Sequence, residues 1–271
     1  MAKVLEFKAK NVRPFTSWLK KFASIDNSLL LEIDMDTKQF IAKTYNAEHS
    51  VIKFSKISFE EAGLELEAEK TIPADLSGKR IRVGIYHLPR LIKSIDHFLS
   101  GEFSFGFKFE DVIGENAGLS GTDIQLKNSS LKMNLKCASL HIFKNLTDTA
   151  FLTKIAKINS LVNFELPNLQ IEKINSLCNL DSEYKFLDLK TRSKNLTVRG
   201  KTFELILADS DKAESSISIY KAQFDKLDVE NYNVEMANEK LIFRSKDSET
   251  ITVISMVERD DKYDESATDF S

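Results

Sequence analysis

Residues 14–23, which read Pro-Phe-Thr-Ser-Trp-Leu-Lys-Lys-Phe-Ala, are the stretch that decides the fold. Apolar residues at positions 15, 18, 19, 22 and 23 recur with the spacing of one helix face. Proline suits the first turn of a helix, because its missing N–H would have no partner there. The sequence therefore predicts an amphipathic helix that buries one stripe and exposes the opposite face.

The same arrangement recurs along the chain. Of the four prolines, three open such a helix, and these three are spaced about 75–80 residues apart. The second helix is predicted over 88–99, with a stripe at 88, 91, 92, 95 and 99. The third is predicted over 166–178, with a stripe at 171, 174, 177 and 178. A period this long is typical of a repeat architecture.

Strand-like runs with β-branched or aromatic alternation accompany each helix. One run precedes each helix, at 4–8, 79–86 and 161–165. Three follow each, at 29–34, 40–45 and 51–57, then 102–109, 123–127 and 131–137, then 184–189, 195–199 and 203–207. A fourth, degenerate repeat has a strand at 216–220, a short segment at 221–227, and strands at 232–236, 240–244 and 250–257.

A repeat of one strand, one helix and three strands thus occurs four times, and two repeats make one domain. The predicted fold class is α+β, with helices on one face of antiparallel sheets. The predicted domains are 1–137 and 160–257, joined by a connector at 138–159 and followed by an acidic tail at 258–271. The alternative is an α+β domain whose helices happen to begin with proline.

Composition excludes several classes of protein. With 42% hydrophobic and 29% charged residues in 271, the chain can bury a core, and no apolar run reaches the roughly 20 residues that span a bilayer. The N-terminus lacks the apolar stretch of a signal peptide, and Cys137 and Cys178 read as free buried thiols. We therefore expect a cytoplasmic protein without a membrane partner.

Lysine and arginine are concentrated on the polar faces of the predicted helices. The candidates for DNA binding are Lys10, Arg13, Lys20, Lys21, Arg90, Lys93, Lys173, Lys221 and Lys226. A net charge of −3 argues against a protein that coats nucleic acid over its whole surface, but it permits a local basic face. The alternative is an ordinary solvated helix face. Trp18 lies on the buried stripe, and the polar faces carry no aromatic residue on which single-stranded bases could stack.

Two segments carry a family resemblance. Residues 19–31 read Leu-Lys-Lys-Phe-Ala-Ser-Ile-Asp-Asn-Ser-Leu-Leu-Leu, and they closely resemble the corresponding segment of the sliding clamps of T-even-type bacteriophages. Residues 264–270, Asp-Glu-Ser-Ala-Thr-Asp-Phe, are similar to the acidic, Phe-containing tail of those clamps. Between these segments the match is one of element order. The chain is longer than the phage clamps around 111–121 and in the connector.

The resemblance implies a viral processivity factor for DNA replication with a fold like that of proliferating cell nuclear antigen, in the host cell cytoplasm. Three copies would join head to tail in a homotrimeric ring around double-stranded DNA, with helices lining the hole. A clamp loader would open the ring, which would then tether the replicative DNA polymerase. Lys20 and Lys21 would lie on a pore helix.

In this family, partner proteins insert apolar peptide ends into a pocket beneath the connector. The candidate partner-binding residues are Leu140, Ile142, Phe143, Leu146 and Val257. The alternative is that these residues only seal the junction of the two domains. Subunits would join through sheet edges, for which 131–137 of one copy and 203–207 of the next are the candidates.

The sequence offers no chemistry for an enzyme. Its four histidines, His49, His87, His97 and His141, lack the spacing of metal ligands, and residues 34–36 read as a hairpin turn. We find no Gly-rich phosphate loop or Gly-x-Ser-x-Gly elbow, so we predict no catalytic residue, no metal and no cofactor. Two other functions stay open: a clamp-fold adaptor that scaffolds transcription or repair partners, and a noncatalytic viral structural or assembly protein.

Overall fold

The computed structural model describes residues 3–67, 79–99, 101–112, 118–143, 146, 160–180, 185–192, 194–210, 214–237 and 239–257. The chain divides into two compact units. The N-terminal unit holds residues 1–44 and 54–151, and the C-terminal unit holds residues 45–53 and 152–271. The division therefore falls inside one hairpin of the N-terminal half.

In the part of the N-terminal unit that the structure describes, two helices with defined bounds accompany nine strands, and all nine strands lie in one sheet. Its elements are β1 (Lys3–Ala9), α1 (Arg13–Ala23), β2 (Leu29–Asp34), β3 (Gln39–Tyr45), β4 (Val51–Ser58), β5 (Leu64–Leu66), β6 (Arg80–Ile85), α2 (Leu88–Asp96), β7 (Phe103–Val112), β8 (Gly118–Lys127) and β9 (Lys132–Lys136), followed by a 3₁₀ turn (Leu140–Phe143). The strand order is β4-β3-β2-β6-β8-β7-β1-β5, and β9 pairs with β8. The pairing of β6 with β8 is parallel, and it covers Ile81 with Leu119 and Arg82 with Ser120.

This order matches the two predicted repeats, with one addition. Strand β5 was missed, because three residues are too short to show an alternation. It pairs with β1 after a turn at Gly63, whose φ of +70° favours glycine. The predicted hairpin turn at residues 34–36 is confirmed: Asp34 Oδ1 accepts the N–H groups of Asp36 and Thr37, at 3.1 Å each.

The helices and the sheet of the N-terminal unit share one apolar core. The stripe of α1 is buried at Phe15, Trp18, Leu19 and Phe22, and that of α2 at Leu88, Leu91, Ile92 and Ile95. The ring of Phe40 on β3 lies 5.0 Å from that of Phe15, 5.5 Å from that of Phe7 and 4.7 Å from that of Phe59. The predicted core position of Trp18 is confirmed, and its indole N–H donates to Ser55 Oγ at 2.9 Å.

The C-terminal unit repeats the same element order. Its elements are β10 (Val162–Leu166), α3 (Asn168–Leu180), β11 (Phe186–Arg192), β12 (Asn195–Arg199), β13 (Glu204–Asp209), β14 (Ser215–Tyr220), α4 (Lys221–Phe224), β15 (Tyr232–Ala237), β16 (Lys240–Ser245) and β17 (Thr250–Ser255). One sheet runs β10-β15-β16-β17 and continues to the start of β4, and the other runs β13-β12-β11-β14. The predicted α+β class with repeated strand-helix-three-strand order is confirmed.

Helix α3 begins two residues later than predicted. Leu166 is the last residue of β10 and pairs with Tyr232 of β15. It therefore belongs to the strand, although the helical periodicity predicts it as the first residue of the helix. Pro167 lies between the two elements. Its carbonyl accepts the N–H groups of Gln170 and Ile171, at 3.0 and 3.2 Å, which places this proline just before the first helical turn.

A buried ammonium group anchors residues 45–53 within the C-terminal unit. The Lys53 side chain is 0% exposed, and its Nζ lies 2.9 Å from Asp228 Oδ2 and 3.1 Å from the Lys226 carbonyl. Burial of a charge is unfavourable unless partners replace the lost water. The loop after α4 supplies these partners, so it is fixed to the start of β4.

Substitution Asp228→Asn should therefore destabilise the protein, because it removes the carboxylate charge that lies 2.9 Å from the buried ammonium group. We expect the free energy of unfolding to fall by roughly 3 kcal/mol, as measured by chemical denaturation. Asp225→Asn is the matched control, because Asp225 lies in the same segment with an exposed side chain. Equal denaturation midpoints for the two variants would contradict this role of the ion pair.

Candidate functional site

The outward side of α1 and α2 carries a cluster of cations. Because the apolar stripes face the core, the polar residues of these helices face away from it. We use the name basic helix face for Arg13, Lys20, Lys21, Arg90 and Lys93, all of which are exposed except the half-buried Lys21. Neither helix has an acidic residue in its first turn, and the last turns hold Lys20 and Lys21 in α1 and Lys93 in α2.

Most of this charge is not neutralised by the residues that the structure describes. Arg13, Lys20, Arg90 and Lys93 have no ion-pair partner among the residues that the structure describes. The exposed acid on α2 is Asp96. Neighbouring like charges favour the approach of an anion, and this attraction weakens as salt is added. The basic helix face therefore suits a ligand with many negative charges, such as a phosphate backbone.

Lys10, which is also a predicted DNA-binding residue, forms an ion pair within the chain. Its Nζ lies 2.6 Å from Glu65 Oε2, and both side chains are exposed. The hydrogen bond from Lys10 holds the pKa of the Glu65 carboxyl below its usual value. Lys10 is thus an exposed, partly neutralised cation ahead of α1. Such a pair forms across strands, so residue order along the helix could not reveal it.

The predicted cations of the C-terminal unit have mixed surroundings. Lys173 is exposed on α3 beside the exposed Glu172. The Nζ of Lys221 donates to the Cys178 carbonyl near the end of α3, where a cation satisfies a carbonyl left unpaired by the helix. Lys226 is half-buried, and its carbonyl accepts from Lys53. Lys173 is therefore the exposed one of these three predicted side chains.

The apolar candidates of the connector are largely covered. Leu140, Phe143 and Leu146 are buried within the N-terminal unit, whereas Ile142 is 47% exposed. Val257 belongs to the C-terminal unit, where it is half-buried and its N–H donates to the Ser218 carbonyl at 2.8 Å. An open apolar pocket at 140–146 is therefore absent from the described part of this connector, and Ile142 is its accessible apolar side chain.

Sequence reasoning missed a cavity of about 310 Å³ between the start of α2 and β9. Tyr86, which is 61% exposed, lies at this cavity with its ring 4.8 Å from that of His87. Arg90 supplies positive charge, whereas Lys136 lies at the cavity as an ion pair with Asp123, its Nζ 2.7 Å from Asp123 Oδ1. Cys137 also lines the cavity, and burial raises the pKa of its thiol to about 12. The exposed aromatic pair just before Leu88-Pro89 was the available signal in the sequence.

Strands β9 and β13 both lie at sheet edges. β9 pairs with β8, β13 pairs with β12, and no further pairing of either is present among the described strands. β9 exposes Lys132 and Lys136, whereas β13 exposes Glu204 and Asp209. A cleft of about 850 Å³ beside β13 is lined by Leu177, Phe203 and Ile206 among others, and Ile206 is 56% exposed. The two unpaired edges thus carry opposite charges.

The described residues contain no group of three or more His, Cys, Asp or Glu side chains that could hold a metal ion. Within the same part of the chain, no helix combines the length and apolarity needed to cross a bilayer.

Comparison with solved structures identifies the fold. The complex of the FEN-1 C-terminal region with A. fulgidus PCNA matches with a TM-score of 0.59 and 6% identity, over 94% of this chain and 100% of the other. The proliferating cellular nuclear antigen of Entamoeba histolytica matches with a TM-score of 0.57 and 12% identity, over 96% and 100%. The Helicobacter pylori beta clamp bound to a DNA ligase peptide matches with a TM-score of 0.61 and 10% identity, over 96% of this chain and 67% of the other.

The chain therefore has the fold of these sliding clamps. No protein-family model matches its sequence, and no curated protein matches it in sequence either. At identities of 6–12%, the likeness concerns the arrangement of strands and helices.

Cys137 should react slowly with alkylating reagents in the folded protein. With a pKa of about 12, only about one thiol in 10,000 is ionised near pH 8, and the thiolate is the nucleophile. In a Cys178→Ser variant, Cys137 is the one remaining cysteine. We expect alkylation by iodoacetamide, followed by mass spectrometry, to be more than about 100-fold slower in the native state than in denaturant.

Equal alkylation rates in the native and unfolded states would contradict this protection. A rise in the native rate on going from pH 8 towards higher pH is expected, because the thiolate fraction grows as the pH approaches the pKa.

Proposed function

We propose that this protein is a sliding clamp, whose copies close into a ring around duplex DNA and tether a replicative DNA polymerase. The observation that carries the proposal is the basic helix face, with four cations unpaired within the described chain, on a clamp fold. In this reading the protein catalyses no reaction. It raises processivity because a closed ring cannot leave the DNA while its polymerase works.

The basic helix face suits the inside of such a ring. Lys20 and Lys93 are long, exposed side chains that reach phosphate oxygens without reading base edges. Such contacts are individually weak and independent of sequence, which permits sliding. Lys173 would add a contact from the second domain, and Lys221 would act instead on the end of α3.

We propose that the ring is a homotrimer in which each copy contributes two clamp domains, 1–137 and 160–257, joined by the connector 138–159. Its interfaces would pair β9 of one copy with β13 of the next. Lys132 and Lys136 on one edge face Glu204 and Asp209 on the other in this arrangement, and the charges are complementary. Apolar side chains of β9 would fill the cleft lined by Phe203 and Ile206.

Partner peptides are part of the proposal. Two structural neighbours were solved with bound peptides, one from FEN-1 and one from a DNA ligase. We propose that the polymerase and a clamp loader bind this chain by similar peptide ends, with Ile142 as the first apolar contact on the connector and Val257 as a candidate in the C-terminal unit. Residues 19–31 and 264–270 support an origin in a T-even-type phage, and thus a host cell cytoplasm.

The assembly is tested by light scattering over a concentration series. A species of three times the chain mass is expected, and Lys132→Glu should weaken association by about tenfold, because it places like charges across the interface. Adding Glu204→Lys should restore association by re-establishing opposite charges. Lys38→Glu, at the exposed β2–β3 turn, is the control.

A protein that stays monomeric at high concentration would contradict the closed ring. It would favour the adaptor reading, in which partners are scaffolded without encirclement. A double variant as weak as the single one would show that Lys132 and Glu204 do not face each other.

DNA contact is tested on α1. The double variant Lys20→Glu/Lys21→Glu should lower retention on circular DNA by roughly tenfold or more and reduce its salt dependence, because fewer counterions are released. Polymerase processivity should fall with it, while the unfolding midpoint stays near that of the parent. The control, Lys38→Glu/Lys246→Glu, changes net charge equally at exposed positions outside α1, α2 and the proposed interface strands.

If the Lys20→Glu/Lys21→Glu variant kept full processivity, the basic helix face would not be the DNA-contacting surface. An equal loss in both variants would point to net charge rather than to α1. A structural or assembly protein predicts no dependence of DNA association on Lys20 and Lys21.

A further inference from the structure

We propose that the buried ion pair of Lys43 and Glu32 is a latch that holds a strap, formed by the described residues 138–143 and Leu146, against the sheet of the N-terminal unit. We further infer that a partner peptide reaches the apolar side chains of the strap only when the latch opens, a step that rests on the proposed function. The strap is held by contacts at both of its ends, one at Ala138 and one at Leu146.

The strap lies on the sheet face opposite the helices. Along β2, Leu31 and Ile33 belong to the core shared with α1 and α2, so Glu32 and Asp34 point to the other face. On β3, Ala42 belongs to that core and Lys43 points away from it. This second face therefore carries the charged groups of the two strands, together with the buried Leu30 and Ile41.

The first end of the strap is fastened at Gly84 of β6. The N–H of Ala138 donates to the Gly84 carbonyl at 2.7 Å. A Cβ on Gly84 would lie 2.6 Å from the Ala138 carbonyl oxygen and 2.8 Å from Phe143 Cε2. These distances leave no room for a side chain, so the strap rests directly on the backbone of β6. Glycine is required at this position by the close approach.

The second end is fastened by Lys43. Its Nζ lies 3.0 Å from Glu32 Oε2 and 3.4 Å from the carbonyl of Leu146, and the Lys43 and Glu32 side chains are only 6% and 3% exposed. An ammonium group has three donors, and burial makes each missing acceptor unfavourable. Detachment of Leu146 would remove one of the two acceptors that the described chain provides to this group.

The strap and the ion pair therefore depend on each other. Leu140, Phe143 and Leu146 are buried in the closed arrangement, so the strap keeps water from the charged face. Glu32 has other cations at hand, since Arg80 Nη1 lies 3.5 Å and Arg82 Nε 3.9 Å from its carboxylate. Removal of the Lys43 charge thus leaves Glu32 compensated and frees the strap alone. This asymmetry makes Lys43 the side chain that controls the latch.

The latch is tested by hydrogen exchange on the full-length protein. Lys43→Met keeps the length of the side chain and removes its donors. Amide exchange at Leu140, Ile142, Phe143 and Leu146 should become roughly 10- to 100-fold faster, as expected when a hydrogen bond to a charged group is lost. Exchange in α1 and β7 should change little, because neither element touches the latch.

A second variant loosens the other end without touching the charge. Gly84→Ala should also speed exchange at residues 139–143, because the new methyl group displaces Ala138 and Phe143. Gly106→Ala on β7 is the matched control, since its Cβ would meet nothing closer than 3.4 Å. The control should leave exchange in the strap as it is in the parent.

Faster exchange confined to the strap in both Lys43→Met and Gly84→Ala would support the latch. Unchanged exchange in both variants would overturn it, and so would an equal increase throughout the N-terminal unit, because Lys43 would then be an ordinary core residue. None of these readouts depends on DNA or polymerase. Failure of the latch is therefore distinguishable from failure of the proposed function.

Discussion

The structure of the N-terminal unit depends on the burial of one helix stripe against an aromatic sheet surface. The Phe15 ring meets that of Phe40 at 5.0 Å, and Trp18 packs in the same core while its N–H is satisfied by Ser55. Aromatic side chains bury large apolar areas, so this contact fixes the rotation of α1 about its axis. Once that rotation is fixed, the direction of every polar residue on the helix follows. The cations of the basic helix face are exposed for this reason, and α2 repeats the arrangement with aliphatic residues in place of aromatic ones.

The two faces of the sheet in the N-terminal unit carry different kinds of side chain, and this difference explains what packs against each face. The face of β2 and β3 beneath the helices carries apolar residues of the shared core, and the other face holds Glu32, Asp34 and Lys43. Although burial alone would raise it, the pKa of Asp34 is held below its usual value by the Thr37 N–H and the neighbouring Arg80 guanidinium. A charged face of this kind needs a cover that supplies acceptors, and the backbone carbonyl of Leu146 is one. The apolar residues of the connector are buried as part of that cover.

Local patterns in the sequence were sufficient to predict the repeats and to predict which residues lie on the outward faces of the helices. Stripes at helical spacing predicted the buried residues of α1 and α2, and alternation predicted most strands, because both periods are set by backbone geometry. Long-range contacts were not predictable in this way. Two of these contacts join residues far apart in sequence: Lys10 pairs with Glu65, and Lys221 donates to the Cys178 carbonyl. The burial of Phe143 likewise depends on residues distant from it in sequence. The clamp fold of the structural neighbours persists at 6% identity because the pattern of burial, rather than the residues themselves, specifies it.

The buried ammonium group of Lys53 links the order of synthesis to the order of folding. Its carboxylate partner lies 175 positions later in the chain. At typical elongation rates of about 5–20 residues per second, roughly 9–35 s pass between the two residues on a ribosome. During this interval Lys53 has no contact with Asp228. This ion pair can therefore form only near the end of translation.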